Sequence, residues 1–136
     1  MKNKLFDQQL LLKLLVNSWA FLTLIIFWLD FLKSGLFDSL TSVIGIIYVG
    51  ILGIYAGNKE FDRWQVHHQS KFRGEIFVLI WTLSIIAMTI IAITTNEIVQ
   101  LPKDTAAIYT AVLAIFAISQ KSKTLFGQKK ARKRRP

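Results

Sequence analysis

The sequence predicts an all-α, polytopic membrane protein: four transmembrane helices set as two hairpins, an amphipathic helix in the inner loop and a basic C-terminal tail. Two observations predict it. Hydrophobic residues make up 53% of the 136 positions, more than a soluble fold of this size needs. They are gathered into four stretches, and lysine and arginine crowd into alternate gaps between them. Lys2, Lys4 and Lys13 precede or open the first stretch, while Lys59, Arg63, Lys71 and Arg73 separate the second from the third. Lys121, Lys123, Lys129, Lys130, Arg132, Lys133, Arg134 and Arg135 follow the fourth. The two remaining gaps carry one each, Lys33 and Lys103. Such a bias places both termini on the cytoplasmic side of the cell membrane.

The elements follow in order. Span one covers about residues 10–32, long enough to cross a ~30 Å hydrocarbon layer with some tilt. Lys13 can snorkel at its inner end. The run is too long for a signal-peptide core and ends in no small-x-small cleavage site, so it reads as an uncleaved span. Lys33-Ser34-Gly35 is a connection so short that spans one and two must be antiparallel neighbours. Span two covers about residues 36–57, with Asp38 in its first turn, where the helix dipole favours an anion. Span three, about residues 76–95, carries no charge. Pro102 stops any helix entering span four from the left. Span four, about residues 105–119, is short and alanine-rich, and charge decides it: a three-span chain would leave the eight basic residues after it outside. Residues 1–120 thus form the membrane domain and 121–136 a flexible basic cytoplasmic tail. Trp28, Phe31, Phe37, Trp64, Phe72 and Phe126 fall near the interfaces and suit an anchoring role.

Candidate functional residues fall into four groups. Gly50, Gly53 and Gly57 lie within about 60° on a helical wheel, with Gly45 near them, and Ala107, Ala111 and Ala114 form a stripe on span four. Small residues let backbones approach closely, so these faces suit helix packing inside a protomer or contact between copies. Phe61, Trp64, His68 and Phe72 share one face of residues 58–75, as an interfacial helix would require; a cytoplasmic extension of span two is the alternative. Asp30 and Asp38 sit at the outer edge, where headgroup water solvates them or where they draw cations to an outer mouth. Lys129, Lys130, Arg132, Lys133, Arg134 and Arg135 are placed to bind anionic lipid, each adding about 1 kcal/mol near an anionic leaflet. In this setting the net charge of +9 reads as membrane charge, and nucleic acid is not the expected partner.

Several classes drop out. There is no cysteine, and the two histidines, His67 and His68, are adjacent and so face about 100° apart on a helix. No metal site, cofactor or catalytic constellation is expected from this set. No acid lies at mid-membrane, as a proton- or drug-coupled transporter requires. Its charge bias also argues against dual-topology insertion.

The whole-chain layout (136 residues, a few spans, a charged amino end, a strongly basic carboxyl tail) resembles that of phage-type holins. That resemblance implies accumulation in the cytoplasmic membrane and lesion formation. It rests on no diagnostic motif, and no span shows the continuous polar stripe of an obvious pore lining. The first functional expectation is a homo-oligomeric, pore-forming or channel-like protein. The alternative is a non-permeating scaffold or accessory subunit whose inner loop and tail dock a cytoplasmic protein or anionic lipid.

Overall fold

The computed structural model describes residues 2–66, 75–95 and 100–134. Within them the chain forms four helices: α1 (Lys2–Leu32), α2 (Asp38–Val66), α3 (Glu75–Thr94) and α4 (Thr105–Lys133). All four are long and apolar enough to cross a membrane. α1 packs on α2, α2 on α4, and α3 on α4. Gln9 of α1 bonds Asp62 near the far end of α2, while Asp30 meets the start of α2, so these two helices are antiparallel. α2 and α4 run parallel. Lys103 and Asp104 tie the start of α4 to Asp38 and Ser42, and Trp64 meets Phe126 at the other end. The bundle therefore has an acidic end, with Asp30, Asp38 and Asp104, and a basic end.

The α1–α2 connection is a chain reversal built from backbone bonds. Gly35 N–H donates to Asp30 O at 3.1 Å and Ser34 N–H to Phe31 O at 3.5 Å. This is the paired pattern of a Schellman cap, whose residue past the helix end takes the left-handed conformation. Ser34 does so at φ 53° and Gly35 follows at φ 86°, where a side chain at position 35 would be strained. Asp30 completes the turn: its Oδ1 accepts the Phe37 N–H at 2.6 Å. The expectation of a water-solvated Asp30 is corrected here. Its residue is fully buried, and it satisfies a backbone donor that has no helical partner.

Aromatic side chains fill the middle of the bundle. Trp81 of α3 stacks on Tyr48 of α2 at 5.7 Å between centroids and meets Phe27 of α1 edge-on at 5.8 Å. The indole Nε1–H donates to Tyr48 Oη at 3.2 Å, which satisfies both polar groups away from water. Phe31, Met88, Ile108 and Val112 close the core around them. Hydroxyls within the helices mostly bond back to their own backbone: Thr23 to Trp19 O, Thr82 to Val78 O, Thr89 to Ile85 O and Thr110 to Ala106 O. Thr82 also meets Tyr109 Oη at 2.9 Å across α3 and α4. Among the described residues these bonds spend most mid-span threonine hydroxyls on their own helix.

Three boundaries differ from the sequence expectation, the first being that of α1, which begins at Lys2 instead of near residue 10. α2 does not stop near Gly57 but runs to Val66, so Phe61 and Trp64 lie on its continuation instead of a separate interfacial helix. α4 runs through residue 120 to Lys133, so the expected flexible tail is helical over most of its length. Both extensions lack proline, and Gln, Lys, Ala, Leu and Arg in the second are strong helix formers. Each helix has 29 residues, which at ~1.5 Å rise gives about 43 Å, well beyond a ~30 Å hydrocarbon layer.

Candidate functional site

The extensions of α2 and α4 hold each other at the basic end. Trp64 and Phe126 pack edge-to-face at 5.6 Å, and Trp64 Nε1–H donates to Ser122 Oγ at 3.1 Å. Ser122 in turn donates to Glu60 Oε2, which also pairs with Arg63 at 2.8 Å. Arg63 reaches across to the Ser119 carbonyl at 3.4 Å. Phe126, expected as an interfacial anchor, is buried between the two helices. Phe31, expected in the same role, belongs to the core.

This clasp shapes a shallow depression of about 110 Å³ lined by Trp64, Phe126, Lys129, Lys130 and Lys133. Three ammonium groups and two rings line it, and no acid does. Lys129 Nζ sits 5.3 Å from the Trp64 ring centroid, within cation–π range. Positive charge is also favoured there because Lys130, Arg132 and Lys133 lie in the last turn of α4, at the negative end of its dipole. An anionic group entering the depression meets fixed cations on a helical frame. Arg132 and Arg134 are exposed on the same extension. Arg135, His68 and Phe72 lie outside the described residues.

The small-residue faces divide. Gly45 is buried, and a Cβ there would collide with Ile108 Cδ1 of α4. It is a packing position inside the protomer. Gly50, Gly53 and Gly57 have no atom within 4 Å of where a Cβ would stand. Gly50 and Gly57 are exposed and Gly53 is half-buried, with room at each for a Cβ. Ala107 and Ala114 are exposed and Ala111 is half-buried, because α4 turns Ile108 and Val112 inward instead.

At the acidic end each aspartate among the described residues has a protein partner, although one oxygen of Asp30, Oδ2, is buried without a hydrogen bond. Asp30 holds the Phe37 N–H, Asp104 accepts from Ser42, and Asp38 pairs with Lys103 at 2.8 Å. The bond to Asp38 holds the exposed Lys103 ammonium above the ordinary lysine pKa. Asp104 makes no side-chain cap on α4; its carboxylate is turned to Ser42. The sequence reading did not single out Ser42–Asp104, Tyr48–Trp81 or the Trp64–Ser122 bond. Their only advance signal was polar or aromatic residues at matching depths.

The chain matches no protein-family model, no curated protein and no solved structure. What the fold itself defines is a class: an all-helical protein with four helices fit to cross a membrane, as in small multi-pass membrane proteins.

Proposed function

We propose that this chain is a non-permeating integral protein of the cytoplasmic membrane, both termini inside, whose α2/α4 projection docks on anionic lipid headgroups. The observation that carries this reading is the depression of Lys129, Lys130 and Lys133 around Trp64 and Phe126. Its three lysines stand on α4, whose backbone is already held against α2 by the Trp64–Phe126 and Trp64–Ser122 contacts. The bundle centre supports the non-permeating half: Trp81, Tyr48 and Phe27 fill it, and the nearby threonines bond to their own helices. The orientation follows from the lysine and arginine bias.

A direct test uses the absence of native cysteine. An environment-sensitive dye on Gln128→Cys, in liposomes of increasing phosphatidylglycerol content, should move toward the surface, and salt should reverse this. Replacing Lys129, Lys130 and Lys133 by Gln should remove the response, with entrapped dye retained throughout. A response unchanged by these substitutions defeats the lipid reading; a response only to an added acidic protein assigns the depression to a protein partner.

A second reading, a homo-oligomeric channel-like protein of holin type, is favoured by the open glycine face of α2. Copies would meet at Gly50, Gly53 and Gly57, where backbones can approach closely. The Ala107, Ala111 and Ala114 stripe offers a second such face. Dye leakage from liposomes together with a defined oligomer would select this reading over the first.

A further inference from the structure

We propose that the acidic end of the bundle binds a monovalent cation of sodium size, held by Asp30 and Thr105 between α1, α2 and α4. Three helices place its ligands in one layer. Phe27 Cζ of α1 and Ile108 Cδ1 of α4 both lie within 4 Å of where a Cβ on Gly45 of α2 would stand, so these three positions meet. One turn further toward the acidic end stand Asp30, Thr41 and Thr105, at spacings of three or four residues that keep to the same helix faces. All three are buried, at 0%, 0% and 3% exposure.

Two polar atoms of this layer have no protein partner. Asp30 Oδ1 accepts the Phe37 N–H, but Oδ2 is buried without a hydrogen bond, and so is Thr105 Oγ1. Buried polar atoms are paired almost without exception, and a buried charge is paired or holds a cation. Among the described residues no lysine or arginine pairs with Asp30; Lys103 is exposed and bound to Asp38. The second carboxylate oxygen thus calls for a positive charge, and the Thr105 hydroxyl offers a second ligand. The Thr41 hydroxyl donates to the Asp38 carbonyl at 2.8 Å, which leaves its lone pairs for a third.

The donor set fixes the class of ion. Carboxylate and hydroxyl oxygens are hard ligands. A divalent ion beside a single carboxylate buries excess charge, and among the described residues no cluster of three acids or histidines could take one. A monovalent ion leaves the layer neutral. Close packing next to it, where a Cβ at Gly45 would strike Ile108, selects a small one. The layer is also within reach of solvent. Asp30, Thr41 and Thr105 lie within about one turn of the ends of their helices, and the half-buried Asp38 and Asp104 place negative charge at the rim.

Thermal unfolding of the full chain in detergent, followed by tryptophan fluorescence, tests this with NaCl exchanged for choline chloride at constant ionic strength. The midpoint should rise by about 5 °C for each tenfold increase in Na+ above the dissociation constant, and K+ should do less. Asp30→Asn keeps an oxygen for the Phe37 N–H but loses the charge, so its midpoint should not respond. Thr105→Val should move the response to about tenfold higher Na+, as loss of one ligand predicts, and Thr105→Ser should restore it. Asp38→Asn, which breaks only the exposed pair with Lys103, should leave the response in place. Equilibrium binding of radioactive sodium should saturate at a single ion per chain. Equal midpoints in Na+, K+ and choline, which would leave water in the layer, overturn the assignment. So does a response that Asp30→Asn retains, or a gain on acidification without sodium that equals the gain from Na+, which would put a proton on Asp30. Should Asp30→Asn fail to fold, the Thr105 variants and sodium binding still decide.

Discussion

The first half of α2 and its second half are opposite environments on one helix. In the first, Gly45 lies under Ile108 with Phe27 nearby, Tyr48 stacks on Trp81, and Ser42 bonds Asp104. In the second, Gly50, Gly53 and Gly57 face nothing within 4 Å, and the clasp to α4 resumes only at Glu60, Arg63 and Trp64. Glycine at a membrane helix therefore has two meanings that spacing does not separate. At Gly45 it removes a side chain so that two helices of one protomer can touch. At Gly53 it leaves a surface to which another chain or lipid can come.

Substitutions can break this contrast, beginning with the largest effect. Gly45→Phe should destabilise the bundle by an amount near the top of the roughly 1–3 kcal/mol that overpacking costs, because Ile108 and Phe27 border the site. Unfolding in mixed micelles reads this, and an unchanged midpoint would show that the α2–α4 seam is loose. Asp30→Ala should cost about 1–3 kcal/mol by leaving the Phe37 N–H without an acceptor. Asp30→Asn retains an acceptor oxygen and should lose less; if both variants unfold alike, the bond to Phe37 is not what holds the turn.

The second half of α2 should respond more mildly. Trp64→Ala removes the ring contact with Phe126, a pair contributing about 0.5–1.5 kcal/mol beyond its area. Hydrogen exchange should then rise in residues 120–133 while the Trp81 core stays protected; protection lost throughout the bundle would mean the clasp is not a local element. Gly53→Leu should have the smallest effect on folding, within about 0.5 kcal/mol, as for substitutions away from packed features. Oligomer size measured on the same variant sharpens the comparison. A fold destabilised as much as by Gly45→Phe contradicts the open face, whereas a smaller particle with an intact fold identifies it as a contact between copies.

The first three helices were legible because apolar run length answers to bilayer thickness, and the fourth because of the eight basic residues that follow it. α1 and α3 end within a residue or so of where hydropathy stops, at Leu32 and Thr94. α2 and α4 overrun for the same reason in reverse: residues 58–66 and 120–133 are too polar to register as span, yet their helix propensity and mutual packing continue the hydrogen-bond ladder. Asp30 was legible in position and misread in environment. Its depth near a helix end suggested water, whereas the short turn after it delivers a backbone N–H to the carboxylate.

By itself the sequence determined the helical class, the number of helices able to cross a membrane and the concentration of cations at one end. These depend on composition and order along a single chain, which the bilayer reads locally. Only the tertiary structure decided which glycine is buried, which aromatic residues meet, and that α2 and α4 clasp at both ends. Those facts depend on the rotation and height of one helix against another. Rotation and height are set by many small contacts between residues far apart in sequence, and no single stretch of the chain encodes them.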